Sequence, residues 1–377
     1  MNILALNWQD LKNPLSGGAE VHLEELLRRL VRMGHRVTLL CSSYPGGAPE
    51  EEVEGVRIIR RGTRFNFNFV APFKLRKLVR REKFDILIED INKIPFYTPL
   101  YLKIPALVVI PHLFATTVFR EINFLLGSYI YLAERPLARL YRGRRCNVIS
   151  ESTAEDLMRR GIPEADISVV HCGIDSSRYS HDPTVKEHET PTVIYLGRIK
   201  KYKSVHHLIS ALPALRKRVP GARLEVVGAG DYLTSLRALA RRLGLENEIE
   251  FTGFVSAEEK VERLRRAHVC VCPSMKEGWG LTNIEANACG TAVIAADVEG
   301  LRDSVKRGES GLLYPYGDLE ALTDSLARVL GDDEERRRLE SGGLRWASLF
   351  SWDEAAEKFM EVVRRTVEDS CGAGLRS

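Results

Sequence analysis

Two glutamates, Glu277 and Glu285, stand in a stretch that brings carboxylates and open backbone together: Pro273-Ser-Met-Lys-Glu-Gly-Trp-Gly-Leu-Thr-Asn-Ile-Glu-Ala-Asn-Ala-Cys-Gly-Thr-Ala-Val-Ile-Ala295. An apolar run, Val269–Cys272, precedes it and reads as a buried strand. A helix is expected from about Thr282 to Cys289-Gly290, then a strand from Ala292 to Ala296. This puts Glu277 in the loop before a helix and Glu285 in its first turn. Unpaired N–H groups at a helix start attract anions, and Gly278 and Gly280 let a ligand approach the backbone. The same residues also fit a plain structural pattern. Thr282-x-x-Glu285 is a capping box, worth about 0.5–2 kcal/mol, and the glycines can simply make a turn.

A second group carries the opposite charge. Gly197-Arg-Ile-Lys-Lys-Tyr-Lys203 follows a strand, Val193–Leu196, and precedes a helix from about Val205 to Val219. Arg198 offers a bidentate fork and Lys203 a mobile point charge, so the two can meet a diphosphate. Without further information the lysines read better as a solvated basic loop. Near the N-terminus, Pro14-Leu-Ser-Gly-Gly-Ala-Glu20 places Gly17 and Gly18 just before another helix start, a geometry that suits an anion but also serves as a hinge. It lacks G-x-x-x-x-G-K-[ST] and is no nucleotide P-loop. Gly228-Ala-Gly230 has Leu233 where a dinucleotide fingerprint needs its third glycine, which discounts NAD.

These residues hang on a regular alternation. Strands are expected at Ile3–Leu6, Val37–Leu40, Val56–Ile59, Ile86–Ile88, Leu107–Ile110 and Asn147–Ser150, with a helix from about Ala19 to Met33 and another from Ala154 to Arg160. The second half repeats the pattern, including a helix capped by Ser256-Ala-Glu-Glu259 and a last one from Trp352 to about Glu368. Alternating strands and helices imply parallel sheets, whose ligands bind beyond the carboxyl ends of the strands. A polar, proline-bearing segment, 176–191, is the expected linker, and the tail after Ser370 is expected to be disordered.

Taken in order, Gly17-Gly18, His112, Asp175, Arg198/Lys203, Glu277/Glu285 and Trp352 make the chain resemble the retaining glycosyltransferases of family four. The match is strongest in the Glu-x7-Glu signature and in Gly-Arg-x-x-x-x-Lys. The resemblance implies a GT-B fold: an α/β protein of two Rossmann-like, doubly wound domains facing across a cleft. The expected division is 1–178 for acceptor binding, with the helix 352–368 packing back onto it, and 179–351 for the donor. It implies transfer of a sugar from a UDP- or GDP-sugar to an acceptor, with a lipid-linked or cell-envelope glycan as a suitable class. In the family the first glutamate binds sugar hydroxyls and the second the ribose. Relatives also have a His at the end of the strand that here is Leu107–Ile110, near the reacting sugar, so the resemblance makes His112 and Glu277 the catalytic candidates. The donor candidates are Gly17, Gly18, Arg198, Lys203, Gly278, Trp279, Gly280, Leu281, Thr282 and Glu285. Relatives carry His-Asp or His-His where this chain has Pro111-His112-Leu113, and Asn where it has Cys172. No Asp-x-Asp occurs, in keeping with a family that needs no metal or other cofactor. The alternative is a sugar-nucleotide-binding protein or epimerase of the same fold.

Composition fits a globular protein of 377 residues, 44% hydrophobic and 28% charged, with no apolar run of spanning length and no N-terminal signal pattern. Seven scattered cysteines point to a reduced, cytoplasmic setting, and Cys270-x-Cys272 alone makes a weak metal signal. A net charge of +4 requires no nucleic-acid partner. The charge is uneven: Arg57 to Lys83 holds ten basic residues and one acid. Within it, Phe65, Phe67, Phe69 and Phe73 alternate with or precede lysines and arginines, a composition that suits an anionic membrane surface. The competing expectation is that these phenylalanines fill the core.

Overall fold

The computed structural model describes residues 1–114, 117–121 and 124–374. It divides into unit 1, Met1–Gly173 plus the chain from Trp352 on, and unit 2, Ile174–Ser351. The boundary falls at Gly173/Ile174 rather than at residue 178. The outgoing and returning segments pair there: Ile174 N–H donates to Phe350 O at 3.2 Å, and Ile174 bridges Ser351. The segment 176–191 is therefore not a free linker but part of unit 2, where Arg265 donates to Ser180 O and His188 N–H to Arg266 O.

Unit 1 runs β1 Asn2–Leu6, α1 Gly18–Arg32, β2 Arg36–Ser43, β3 Glu50–Val53, β4 Val56–Thr63, α2 Phe67–Arg81, β5 Ile86–Asp90, β6 Ala106–Ile110, α3 Val118–Glu121, α4 Phe124–Glu134, α5 Leu137–Leu140, β7 Cys146–Val148, α6 Glu151–Arg159 and β8 Ile167–Val169. Its eight strands lie in the order β3-β4-β2-β1-β5-β6-β7-β8, all parallel except the β3–β4 pair. The strands β1 and β5 are buried along nearly their whole length because helices cover both faces. Leu4, Leu6, Leu40, Leu87 and Phe67 pack with an aromatic group in which Trp8 stacks on Phe96 at 5.3 Å.

Unit 2 runs β9 Thr192–Leu196, α7 Val205–Arg218, β10 Arg223–Val227, α8 Leu233–Arg242, β11 Ile249–Gly253, α9 Ala257–Arg266, β12 Val269–Cys272, α10 Leu281–Ala288, β13 Ala292–Ala296, β14 Leu312–Tyr314, α11 Leu319–Gly331 and α12 Asp333–Ala347. The all-parallel order β11-β10-β9-β12-β13-β14 reverses between β9 and β12, so the crevice of this doubly wound sheet opens there. The Ser256 hydroxyl caps α9 through Glu259 N–H at 3.1 Å, as its sequence signature implies. Gly228 and Gly230 have a packing role. A Cβ at Gly228 would lie 2.0 Å from Gly197 O, and one at Gly230 2.0 Å from Ile199 O, so this loop rests directly on the loop after β9.

The last helix, α13 Trp352–Gly374, belongs to unit 1 and passes the expected end at Glu368; residues 375–377 lie outside the described residues. It is held to α1 by the Arg29–Asp353 pair at 2.6 Å.

The loop between β1 and α1 is anchored by a buried ion pair. Arg60 donates from Nε and Nη2 to the two oxygens of Asp10 at 2.7 and 2.8 Å, with both side chains fully buried. Glu24 on α1 accepts from Leu11 N–H in the same loop. Burial pushes the Glu24 carboxyl from 4.5 up to about 7, against the lowering effect of that hydrogen bond. The folded state thus holds a proton that the unfolded state releases, so Glu24 contributes stability below pH ~4.5 that is lost as pH rises to ~7. Glu24→Gln is expected to flatten this part of the stability–pH curve, read by chaotrope unfolding at the two ends of that range. An unchanged slope would place the proton elsewhere.

Candidate functional site

The two strands that flank the reversal, β9 and β12, deliver the charged residues singled out by sequence. The loop after β9 carries Arg198 and Lys203; the loop after β12 carries Glu277. The loops are joined by Met275 N–H donating to Tyr202 O at 2.9 Å. Lys203 Nζ meets Glu277 Oε1 at 2.5 Å, with the two side chains 16% and 19% exposed. Burial acts to lower the Lys203 pKa, but the facing Glu277 carboxylate outweighs it and the ammonium ends up above its ordinary value. Arg198 is exposed, and its side chain has no hydrogen-bond or ion-pair partner among the described residues. Its backbone is fixed, because the Tyr195 hydroxyl donates to Arg198 O at 2.8 Å. Arg198 also acts electrostatically on Lys203, so a second positive group stands near the first. Lys200 pairs outward with Asp231, and Lys201 is exposed, as the solvated-loop expectation would have it.

The glutamate loop is held from behind by Gly300. A Cβ there would lie 2.2 Å from Glu277 O, so only glycine lets segment 298–300 back the loop this closely. Nothing in the sequence distinguishes Gly300, since a lone glycine in a loop carries no signal of its own. Trp279 differs from its expected role. Its ring is buried against Phe350, with centroids 5.4 Å apart, so the side chain packs in unit 2 and only backbone remains to meet a ligand. The Leu281 amide already donates to Trp279 O at 3.1 Å, whereas those of Gly278, Gly280 and Thr282 make no hydrogen bond among the described residues.

The capping-box expectation for Thr282 and Glu285 fails. The helix α10 starts one residue earlier, with Gly280 at the N-cap and no side-chain cap. Thr282 is then already helical and Glu285 falls in the second turn. Instead of closing the helix, Glu285 accepts from Lys260 Nζ of α9 at 2.7 Å. The Lys260 ammonium also lies 5.0 Å from the centroid of the Tyr179 ring. Burial alone would lower the Lys260 pKa; Glu285 and Tyr179 raise it instead to about 12. Each of the two glutamates is thus matched by one lysine. Lys260 is hard to single out by sequence because it sits among Glu258, Glu259 and Glu262 on a charged helix; the available clue is its place beside the buried Val261–Leu264 stripe.

In unit 1 the sheet reverses between β1 and β5, and the loops there hold a polar cluster. The Gly17 amide donates to the Glu20 carboxylate at 2.7 Å. The anion at this helix start is therefore the protein's own, which corrects the expectation that Gly17 is open to a phosphate. Gly18 is the first residue of α1. Glu20 also accepts from Asn92 at 3.1 Å, and Lys93 donates to Gln9 at 2.8 Å. His112 follows β6, half-buried, its ring 5.2 Å from Phe114 in a T-shaped contact. The turn beneath it is fixed by the Thr153 hydroxyl donating to Pro111 O. Among the described residues, no three His, Cys, Asp or Glu side chains group as a metal site would require, and six cysteines are free and buried.

Comparison with known proteins matches two family models end to end: Glycosyltransferase Family 4 over residues 16–178 and Glycosyl transferases group 1 over 177–346. The chain is 27% identical over 377 aligned positions to the GDP-mannose-dependent alpha-(1-6)-phosphatidylinositol monomannoside mannosyltransferase of Mycobacterium tuberculosis, covering 93% of this chain and 95% of that one. It is 34% identical over 232 positions to the D-inositol 3-phosphate glycosyltransferase of Corynebacterium glutamicum, 57% of this chain and 56% of the other. Among solved structures, sucrose-phosphate synthase from Thermosynechococcus elongatus superposes with a TM-score of 0.82 at 22% identity, over 97% of this chain and 98% of that one.

Proposed function

We propose that this chain, which belongs to the family-four glycosyltransferases of GT-B fold, moves a sugar from a nucleotide sugar to a lipid-linked acceptor with retention at the anomeric carbon and without a metal ion. The observation that carries the site assignment is the pairing of Glu277 with Lys203 and of Glu285 with Lys260 at the crevice of the unit 2 sheet. In the free protein each lysine compensates a carboxylate that would otherwise be buried alone. With donor bound, Lys203 and the open Arg198 face the diphosphate, Glu277 accepts from sugar hydroxyls, and Glu285 accepts from the ribose. The amides of Gly278, Gly280 and Thr282 supply further donors.

As the bond from the anomeric carbon to the diphosphate breaks, negative charge grows on the leaving oxygen, and the two cations stabilise it in the place a metal would occupy. The sugar passes through an oxocarbenium-like state. The acceptor oxygen bonds on the face the diphosphate leaves, and its proton goes to that diphosphate. Of the unit 1 residues expected to take part, His112 and Gly18 remain in this reading as proposals carried by the family resemblance.

The mannosyltransferase relative makes GDP-mannose the first donor to try, with UDP-sugars as the alternative. Among the described residues no helix is long and apolar enough to cross a membrane. Phe67 is in the core, but Phe65, Phe69 and Phe73 are 82%, 65% and 72% exposed beside Lys74, Arg76, Lys77 and Arg80. The core-packing expectation thus holds for one phenylalanine of the four. The other three support peripheral binding to an anionic bilayer, on the cytoplasmic side where the free cysteines would stay reduced.

The test is a thermal-shift screen of GDP, UDP, ADP and their sugars in the presence of EDTA. One nucleotide should stabilise the protein by roughly 2.7 kcal/mol at a hundredfold excess over Kd. The shift should vanish in Glu285→Gln. No shift with any nucleotide, or one that needs added metal, would overturn the assignment.

A further inference from the structure

The helix α4 presents an unusual surface. Phe124, Leu125 and Leu132 are 74%, 80% and 60% exposed, and Tyr129 is exposed as well. The Asn68 amide donates to the Tyr129 hydroxyl at 2.8 Å, so α4 lies beside α2, the helix that carries the exposed Phe69 and Phe73. An exposed apolar area of this extent marks an interaction surface. The chain just past α4 is basic. Arg135, Arg139 and Arg142 are exposed and have no side-chain partner among the described residues, whereas Arg145 is tied to Asp369. Glu134, at the end of α4, is buried and accepts from Phe114 N–H.

We infer that α4 and the arginines after it form the second half of a bilayer-docking face whose first half is α2, with the α4 side chains entering the acyl region and Arg135, Arg139 and Arg142 meeting anionic headgroups. This rests on the peripheral-membrane reading of 64–83 and extends it to a separate segment. The uncompensated positive charge on both flanks chooses the occupant. An anionic bilayer matches it, while a second copy of the chain would bring arginines against lysines and arginines.

Vesicle flotation decides the matter, using phosphatidylcholine with and without phosphatidylglycerol. The wild type should float only with the anionic lipid. Leu125→Glu/Leu132→Glu should abolish flotation. Arg135→Glu/Arg139→Glu/Arg142→Glu should weaken it by on the order of a hundredfold. Both variants should keep the wild-type Tm and the nucleotide-induced shift, which separates this test from that of the donor site. If both still float while the Lys74/Arg76/Lys77/Arg80 charge reversal does not, α4 has no part in docking although α2 does. If wild type fails to float, both halves are refuted. If the protein instead forms a dimer in the absence of lipid that Leu125→Glu dissociates, the face is a protein interface and the inference fails.

Discussion

Lys203→Met should lower kcat by about 10²–10³, the usual cost of removing one preorganised charge partner from a developing anion. The substitution does two things that can be told apart. It strips a cation from the proposed diphosphate site, and it leaves Glu277, only 19% exposed, without its counter-ion. The second effect is a matter of stability. Breaking one side of a largely buried pair costs more than replacing both partners by neutral groups. Pairing Lys203→Met with Glu277→Gln should therefore recover most of the lost stability. It should not recover activity, since the double variant offers neither cation to phosphate nor carboxylate to sugar. If the pair only braces the loops, activity would return with the fold, and that result would remove Lys203 and Glu277 from the chemistry. The raised Lys203 pKa means the ammonium is present throughout the neutral range, so the defect should not depend on pH there.

How much of the molecule is legible in its sequence depends on the clarity of the periodic signal. The buried strands of unit 2 and the cap at Ser256 are legible because short apolar runs and a hydroxyl-x-x-glutamate pattern have few other meanings. The strand β3 is not, since Glu50-Glu51-Glu52 has no apolar alternation. Its pairing with β4 is helped by charge across and beside the ladder, Glu51 to Arg60 and Glu50 to Arg61. The helix α4 is hidden for the opposite reason: Phe124-Leu-Leu-Gly-Ser-Tyr-Ile-Tyr-Leu is apolar on every side and shows no helical period. At the site, residue types point to Glu277, Glu285, Arg198 and Lys203, but not to who pairs with whom. Lys260 reaches Glu285 from another helix, a contact set by tertiary packing alone. The cap of α10 falls on Gly280 instead, where a Cβ would sit 2.3 and 2.6 Å from polar atoms of Ser304 and Asn283, so glycine is required there.

The same limit hides the largest stability effect. In the sequence Arg60 is one more charge in a basic run, yet its side chain is fully buried. It grips Asp10 with two hydrogen bonds, donates to Ala48 O at 2.9 Å, reaches Glu51 at 2.6 Å and lies 5.1 Å from the Tyr44 ring centroid. One guanidinium thus ties the loop after β1 to β4 and to the segment before β3. Asp10→Asn keeps the shape of the acceptor but removes its charge, leaving Arg60 buried against a neutral amide that must orient an NH₂ group toward it or turn away. The expected cost is ~3–5 kcal/mol. For units of this size that corresponds to a fall in Tm of about 2–4 °C per kcal/mol. Combining it with Arg60→Met should return much of the loss, because an apolar side chain of similar length needs no counter-ion. Calorimetry on the three variants gives the coupling directly. Nucleotide-induced stabilisation should survive in all of them, since every residue assigned to the nucleotide and its diphosphate beyond Gly18 belongs to unit 2. A loss below ~1 kcal/mol in Asp10→Asn would mean that water reaches Arg60 once the pair is broken and that the loop is held by Glu24 and its bond to Leu11 instead.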